Sequence, residues 1–544
     1  MLMNLESPLV RANLKVRLQD GTRLATDIYR PHVNRPTPAA LLRTPYGKSS
    51  HLDEGIGWAQ HGIAFVVQDV RGRYCSEGVW EPYVHERDDG AETLSWLAQQ
   101  DWVNGQILLT GGSYGAFTAW AAAVHRHPAV RCVVSAVPAM GLHLANYSSS
   151  GVLRLLAFIS WWMAHGDGRT GRPRLFEMMH RTVPSMLTHL PVTELSSLLW
   201  ADLPTLNDVI DLEPDKVPDY AISDDELARL RIPTMHIGGW HDPFIGQTLH
   251  QWSVVGSAIA PRPERCLIIG PWTHALQFNQ TASFGERHYG SSSRLPLGSV
   301  QVAWLRRVLG NDDATAAKNP VKVFLMGTNR WLDAEDWPPC KTTAVTWYTQ
   351  EGGRLGTQPP SEGGADTFVY DPLDPYPGGS AAREQADLSA RTDVVRYISE
   401  PLAEPISVVG QPVVSLYAAT DAPSTDWVAR LLEVSRDGRM HAVSQGLVDA
   451  TREVARREEP MVIGNVYRYR IAMAPTAITL PIGHRLMLEI TSSDFPDHCR
   501  NLNTGSDRYT ISTTRVARQQ IYRSVAGSTS LTLPVASGNG FHDA

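Results

Sequence analysis

From residue 106 to residue 120 the chain reads Gln-Ile-Leu-Leu-Thr-Gly-Gly-Ser-Tyr-Gly-Ala-Phe-Thr-Ala-Trp. An apolar run passes straight into two glycines and a serine, and an alanine-rich run follows at once. A strand that turns on one residue and restarts as a helix forces that residue, Ser113, onto a strained and exposed apex. Gly111 and Gly115 permit an approach of strand to helix that side chains would block. The helix that begins after Ser113 turns its free amides and its dipole toward any negative charge developing there. A glycine-rich βα turn with an incidental serine is the alternative reading of the pentapeptide by itself.

The flanking sequence has the same texture. Residues 39–43, 63–70, 107–110, 132–137, 234–237 and 266–269 are short apolar runs bounded by Gly, Pro or polar residues. Runs without in-and-out alternation suit strands buried on both faces of a parallel sheet. Helical stretches at 88–100 and 116–125 lie between them, which predicts an α/β domain over residues 1–140 and 231–318. Ahead of it, Leu14, Val16 and Leu18 alternate into an Asp20-Gly21 turn, and Leu24, Thr26 and Ile28 alternate back, as in a β-hairpin. Residues 141–230 read as helical, clearest at 152–163, 174–180 and 224–230, and are predicted to be a cap inserted between two sheet strands. From 319 to 544 period-2 runs return at 321–326, 344–348, 413–418, 467–472, 486–491 and 519–522, which predicts a C-terminal all-β sandwich. Residues 351–364 read as a loop.

Composition excludes some partners. At about 150 residues per domain, a chain of 544 residues accommodates three or four domains. Basic residues number 49 against 56 acidic, net −7, with no basic run long enough to track a phosphate backbone, so nucleic acid is not an expected partner. No stretch approaches the ~20 apolar residues that cross a bilayer, and the first 16 residues lack a signal-peptide pattern. A cytoplasmic protein without membrane partners is the expectation. The five cysteines are scattered and never in a CxxC pair, so neither a disulfide framework nor a metal site is expected.

A serine hydroxyl is a weak nucleophile and needs a base that a carboxylate orients. In a strand–turn–helix setting of this kind the acid and then the histidine follow the serine, each just past a later strand. The run Ile232-Pro-Thr-Met-His-Ile-Gly-Gly-Trp-His-Asp242 supplies Asp242, and Arg265-Cys-Leu-Ile-Ile-Gly-Pro-Trp-Thr-His274 supplies His274. His241 competes for the role of base, but it precedes the acid. For an oxyanion, one donor is the backbone N–H of Tyr114, the residue after the nucleophile. The second belongs to the loop Arg43-Thr-Pro-Tyr-Gly-Lys48, where the Tyr46 hydroxyl is a competent donor. On composition alone Tyr46 reads more readily as a half-buried packing residue. Asp69-Val-Arg-Gly-Arg73 reads as an ion-pair network bracing these loops.

Seven stretches together carry a specific resemblance: Arg43-Thr-Pro-Tyr-Gly-Lys, Gln68-Asp-Val-Arg-Gly-Arg-Tyr-Cys-Ser-Glu-Gly78, Gly111-Gly-Ser-Tyr-Gly115, Gly239-Trp-His-Asp-Pro-Phe244, Gly270-Pro-Trp-Thr-His274, Ser492-Ser-Asp-Phe-Pro496 and Arg500-Asn-Leu-Asn-Thr-Gly505. In these motifs, and in their order, the chain resembles the cocaine esterase family of serine hydrolases, also called CocE/NonD or X-Pro dipeptidyl-peptidase-like. The resemblance implies an α/β-hydrolase domain, a helical cap and a C-terminal jelly roll. It also implies that Tyr46 is the second oxyanion donor, and that Trp161 in the cap and Phe244 after the acid line the acyl pocket.

The expected chemistry is hydrolysis of a small-molecule ester or amide through an acyl-enzyme on Ser113, with Asp242 and His274 completing a triad and no cofactor. Transfer of the acyl group to an amine or alcohol, X-Pro dipeptidyl-peptidase-type amide hydrolysis, and a carbohydrate-binding role for the β-rich tail are the competing readings. Pro243, Phe244, Ile245 and Gly246 follow the acid without a charge, and Trp161 and Trp240 are nearby, which points to an uncharged, apolar acyl group unless the cap supplies a carboxylate such as Asp167. A homo-oligomer is compatible with the sequence, which does not specify it.

Overall fold

The structure is a computed structural model. It describes residues 7–166, 168–172, 186–198, 210, 216–275, 280, 282–310, 319–379, 388–457, 460–523 and 527–537. The helix expected at 174–180 and the carboxylate of Asp167 lie outside the described residues.

Twelve strands build the first half: β1 Leu9–Arg17, β2 Arg23–Arg30, β3 Thr37–Thr44, β4 Ala64–Asp69, β5 Val103–Gly112, β6 Val130–Ala136, β7 Thr234–His241, β8 Arg265–Thr273, β9 Ser283–Phe284, β10 Arg287–His288, β11 Val321–Leu325 and β12 Arg330–Ala334. Apart from the small β9–β10 ladder they form one sheet in the order β1-β2-β4-β3-β5-β6-β7-β8-β11-β12. The six pairings from β4 through β3, β5, β6, β7 and β8 to β11 are parallel, and β1–β2, β2–β4 and β11–β12 are antiparallel. Every residue of β3 and of β4 is buried, which is why these runs lack alternation.

Helices α1 Leu52–Gln60, α2 Glu86–Ala98 and α3 Tyr114–Ala123 follow β3, β4 and β5. All ten residues of α3 are buried. Its alanines let it lie close against the sheet, and the Thr118 hydroxyl donates to the Arg43 carbonyl of β3 at 2.9 Å. Between β6 and β7 lie short helical pieces, including Leu142–Asn146, Leu155–Trp161 and Asp224–Ala228.

Among the described residues, thirteen strands from Thr342–Gln350 to Ser530–Ala536 make the C-terminal jelly roll. One boundary differs from the sequence reading. Residues 321–325, expected as the first strand of the sandwich, pair in parallel with β8 instead, Val321 opposite Leu267, so the α/β sheet continues past residue 318 to Ala334. Period-2 alternation describes a strand and cannot say which sheet takes it. The 351–364 stretch is also not all loop, since Arg354–Gly356 pairs with two neighbouring strands.

The two halves share a core in which Trp240, Val323 and Phe324 pack with Leu416, Trp427 and Ile478. The segment around Ser492-Ser-Asp-Phe-Pro496 is held by the buried ion pair of Arg430 with Asp494 at 2.7 Å and by His498 Nδ1, which lies 2.7 Å from the same carboxylate. Further on, Arg508 reaches Asp426 at 2.6 Å and Asp449 at 2.5 Å. This rigid ledge carries the cap: Cys499 N donates to Leu153 O at 2.8 Å, Leu156 N to Pro496 O at 3.1 Å and Thr193 N to Tyr509 O at 3.1 Å. Among the described residues, no helix is long and apolar enough to cross a membrane.

Candidate active site

Ser113 closes β5 and caps α3 with φ 56° and ψ −122°, a conformation in which a non-glycine residue is strained. The turn is possible because a Cβ at Gly111 would lie 2.3 Å from the Gly115 carbonyl; only glycine lets strand and helix come this close. Ser113 Oγ lies 3.0 Å from His274 Nε2, and His274 Nδ1 lies 2.9 Å from Asp242 Oδ1. Asp242 follows β7 and His274 follows β8, so neighbouring parallel strands deliver both partners at the same edge of the sheet as Ser113. Asp242 is buried, and its Oδ1 also accepts the Phe244 amide at 3.1 Å, which fixes the carboxylate.

His241, the competing base, is engaged elsewhere. Its Nε2 is 2.6 Å from the Tyr289 hydroxyl and its ring stacks on Phe284 at 3.9 Å. Burial, aided by the charge of Arg287, pushes its pKa down to about 3.

Tyr46 is half-buried with its hydroxyl 3.5 Å from Ser113 Oγ. The Trp161 indole N–H donates to the same hydroxyl at 3.4 Å. Burial raises the phenol pKa, so Tyr46 stays protonated; hydrogen bonding with Ser113 and with the N–H groups of Trp161 and Tyr114, and the charge of Arg73, act in the opposite direction. The Tyr114 amide heads α3, where a helix has no internal acceptor for it, and it converges with the Tyr46 hydroxyl beside Ser113. The Tyr114 side chain points away, donating to Glu86 Oε1 at 2.8 Å and accepting the Tyr83 amide at 2.7 Å.

Sequence proximity mistook one aromatic and undervalued another. Trp240 does not line the site: its indole N–H donates to the Phe324 carbonyl at 2.7 Å, and its ring packs 5.3 Å from Trp337 in the core shared with the jelly roll. Being two residues from Asp242 says nothing of the side chain's direction. Trp161 is more than an apolar wall, because it touches the Tyr46 hydroxyl. Phe244 stands edge-on to His274 at 5.1 Å, and the Arg154 guanidinium lies over its ring at 5.7 Å. Sequence reasoning overlooked Arg154, Glu86 and Tyr83, whose partners are distant in the chain and leave no local signal. In the 69–73 stretch the expected network of Asp69 with the two arginines does not form among the described residues: Arg71 pairs with Asp89 and Asp20 at 2.6 Å each, Asp69 accepts backbone amides, and Arg73 forms no ion pair.

Residues 20–276 match the X-Pro dipeptidyl-peptidase (S15) family and residues 314–532 the X-Pro dipeptidyl-peptidase C-terminal non-catalytic domain. The chain is 30% identical to the cocaine esterase of Rhodococcus sp. (strain MB1 Bresler), over 91% of this chain and 93% of that protein. Among solved structures it resembles an alpha-amino acid ester hydrolase, with a TM-score of 0.86 at 23% identity over 98% of each chain. It likewise resembles an aminopeptidase from a marine sediment archaeon (Thaumarchaeota), with a TM-score of 0.84 at 23% identity over 99% of this chain and 98% of the other.

Proposed function

The chain belongs to the cocaine esterase (CocE/NonD, X-Pro dipeptidyl-peptidase-like) family of serine hydrolases, and on that premise we propose that it cleaves an ester or amide acyl bond through an acyl-enzyme on Ser113. The observation that carries this reading is the unbroken relay from Asp242 through His274 to Ser113 Oγ, at 2.9 and 3.0 Å, ending on a strained serine. Ser113 Oγ attacks the acyl carbonyl as His274 Nε2 takes its proton, and Asp242 holds the Nδ1–H tautomer that leaves Nε2 free to do so. The tetrahedral oxyanion receives the Tyr114 N–H and the Tyr46 O–H. The indole of Trp161 occupies an acceptor site on the phenol oxygen, which leaves the phenol's one proton for the oxyanion. His274 then protonates the leaving group, and a water deprotonated by the same imidazole releases the acid. Product analysis of a p-nitrophenyl ester panel, with and without a competing amine or alcohol, tests hydrolysis against transfer: free acid as the main product in both supports hydrolysis, and a dominant amide or new ester contradicts it.

The Tyr46 role has its own test. Tyr46→Phe removes one hydroxyl and keeps the ring, and kcat is expected to fall by about 10²–10³ with KM little changed. Full kcat with a lower melting temperature would make Tyr46 a packing residue instead.

The acyl group is proposed to carry no ammonium. The residues after Asp242 are uncharged, and the Arg154 cation over Phe244 has no carboxylate within ion-pair distance among the described residues. A second cation placed there would be desolvated and repelled. Phenylacetyl esters are therefore expected to exceed phenylglycyl esters of the same alcohol in kcat/KM by at least about 10-fold, the worth of roughly 1.4 kcal/mol. A preference for phenylglycyl would contradict this and call for an acidic group in the pocket.

A further inference from the structure

Arg73 is fully buried, yet no carboxylate lies within ion-pair distance of it among the described residues. Its Nε donates to the Pro45 carbonyl at 3.0 Å, its Nη1 donates to the Gly168 carbonyl in the cap, and its Nη2 is buried without a partner. The rings of Tyr74 and Trp80 lie 5.4 and 5.1 Å from its guanidinium carbon. The two acids closest in sequence are both engaged: Asp69 accepts the amides of Lys48 and Cys75 at 2.7 and 3.4 Å, and Glu77 pairs with Arg23 at 2.5 Å. Burying a cation with no carboxylate within ion-pair distance costs stability, and answering two backbone carbonyls calls for N–H donors but not for a full charge.

The Pro45 carbonyl belongs to the peptide whose nitrogen is that of Tyr46, so Arg73 is clamped to the backbone that carries the hydroxyl beside Ser113. The His165 ring packs 5.0 Å from that of Tyr46. Burial and the charge of Arg73 hold the His165 pKa down at about 4, so this imidazole is neutral and adds no charge. Arg73 is thus the cation whose field reaches the Tyr46 hydroxyl, and the attraction is mutual: each favours the charged form of the other.

We propose that Arg73 is a positioning residue of the oxyanion hole, whose charge, fixed to the Pro45–Tyr46 peptide and with no carboxylate within ion-pair distance among the described residues, favours negative charge developing between the Tyr46 hydroxyl and the Tyr114 amide. In a site excluded from water, a fixed cation acts at long range and needs no reorganisation when the oxyanion forms. The proposal rests on the reading of Tyr46 as an oxyanion donor.

Charge is separated from shape by two substitutions. Arg73→Met is expected to lower kcat by about 10-fold or more at little changed KM, and Arg73→Lys to recover it to within about 3-fold of the parent. Phenylboronic acid, whose serine adduct is a tetrahedral anion, should lose affinity in Arg73→Met by the same factor as kcat. Arg73→Lys no better than Arg73→Met, or boronate affinity unchanged while kcat falls, would overturn the proposal. Should Arg73→Met fail to fold, boronate titration of Arg73→Lys at unchanged melting temperature decides: affinity within about 3-fold supports the role of charge, and a loss of about 10-fold or more contradicts it. Tyr46→Phe with undiminished kcat would instead sink the oxyanion reading, whatever Arg73 does.

Discussion

Replacing Ser113 with alanine is expected to lower kcat by about 10⁶ while leaving the melting temperature within a few degrees of the parent. Ser113 Oγ meets His274 and Tyr46 and supports no core cluster. Alanine at φ 56° bears the same backbone strain as serine, so the folded state loses little with the hydroxyl. What the variant loses is the nucleophile, and with it the use of His274 as base. The oxyanion donors and substrate binding remain, and together they sustain a residual rate about 10³–10⁴ above water. A melting curve beside the esterase rate checks this. A variant that folds normally and keeps turning over would show that another nucleophile acts.

Asp242→Asn is expected to cost about 10⁴ in kcat, again with the fold retained. The buried carboxylate accepts two N–H groups on Oδ1, from His274 Nδ1 and from the Phe244 amide. With its carbonyl at the Oδ1 position an asparagine keeps both bonds but lacks the charge that stabilises the imidazolium; with its NH₂ there it leaves the Phe244 amide unanswered and donates to the imidazole. Nδ1 becomes an acceptor, the ring proton moves to Nε2, and the base faces Ser113 already protonated. The signature is a loss in kcat far larger than any change in KM. A near-normal rate would place the orienting carboxylate elsewhere in the chain.

Why these residues were legible and others were not has a physical basis. The Gly-Gly-Ser-Tyr-Gly turn is local: its strand, its strained apex and its helix are consecutive within residues 103–123, so the sequence carries the whole constraint. Asp242 and His274 were found because adjacent parallel strands end at one edge and the chain order of such strands is restricted. Strand Asp426–Val434 illustrates the opposite case. All nine of its residues are buried, but they include Asp426, Arg430 and Glu433, which broke any apolar pattern. Their charges are answered by Arg508, Asp494 and Arg287, from distant segments, and no local reading reveals such partners. The same limit explains residues 321–325, whose alternation was visible but whose neighbour, β8, was not. It also explains Trp240, which shares a strand with His241 yet sends its indole into the core between the two halves. Arg73 shows the limit in another form: its spacing beside Asp69 suggested a salt bridge, while the fold directs it to two backbone carbonyls.

The central claim, a covalent acyl-enzyme on Ser113, is tested most directly by quenching turnover of a slowly deacylating p-nitrophenyl ester in acid and measuring the mass of the protein and its peptides. The account predicts a mass increase equal to the acyl group, confined to the peptide containing Ser113, formed with a burst of one p-nitrophenolate per chain and absent in Ser113→Ala. Steady hydrolysis with no burst and no adduct, or an acyl group on a different residue, would contradict it.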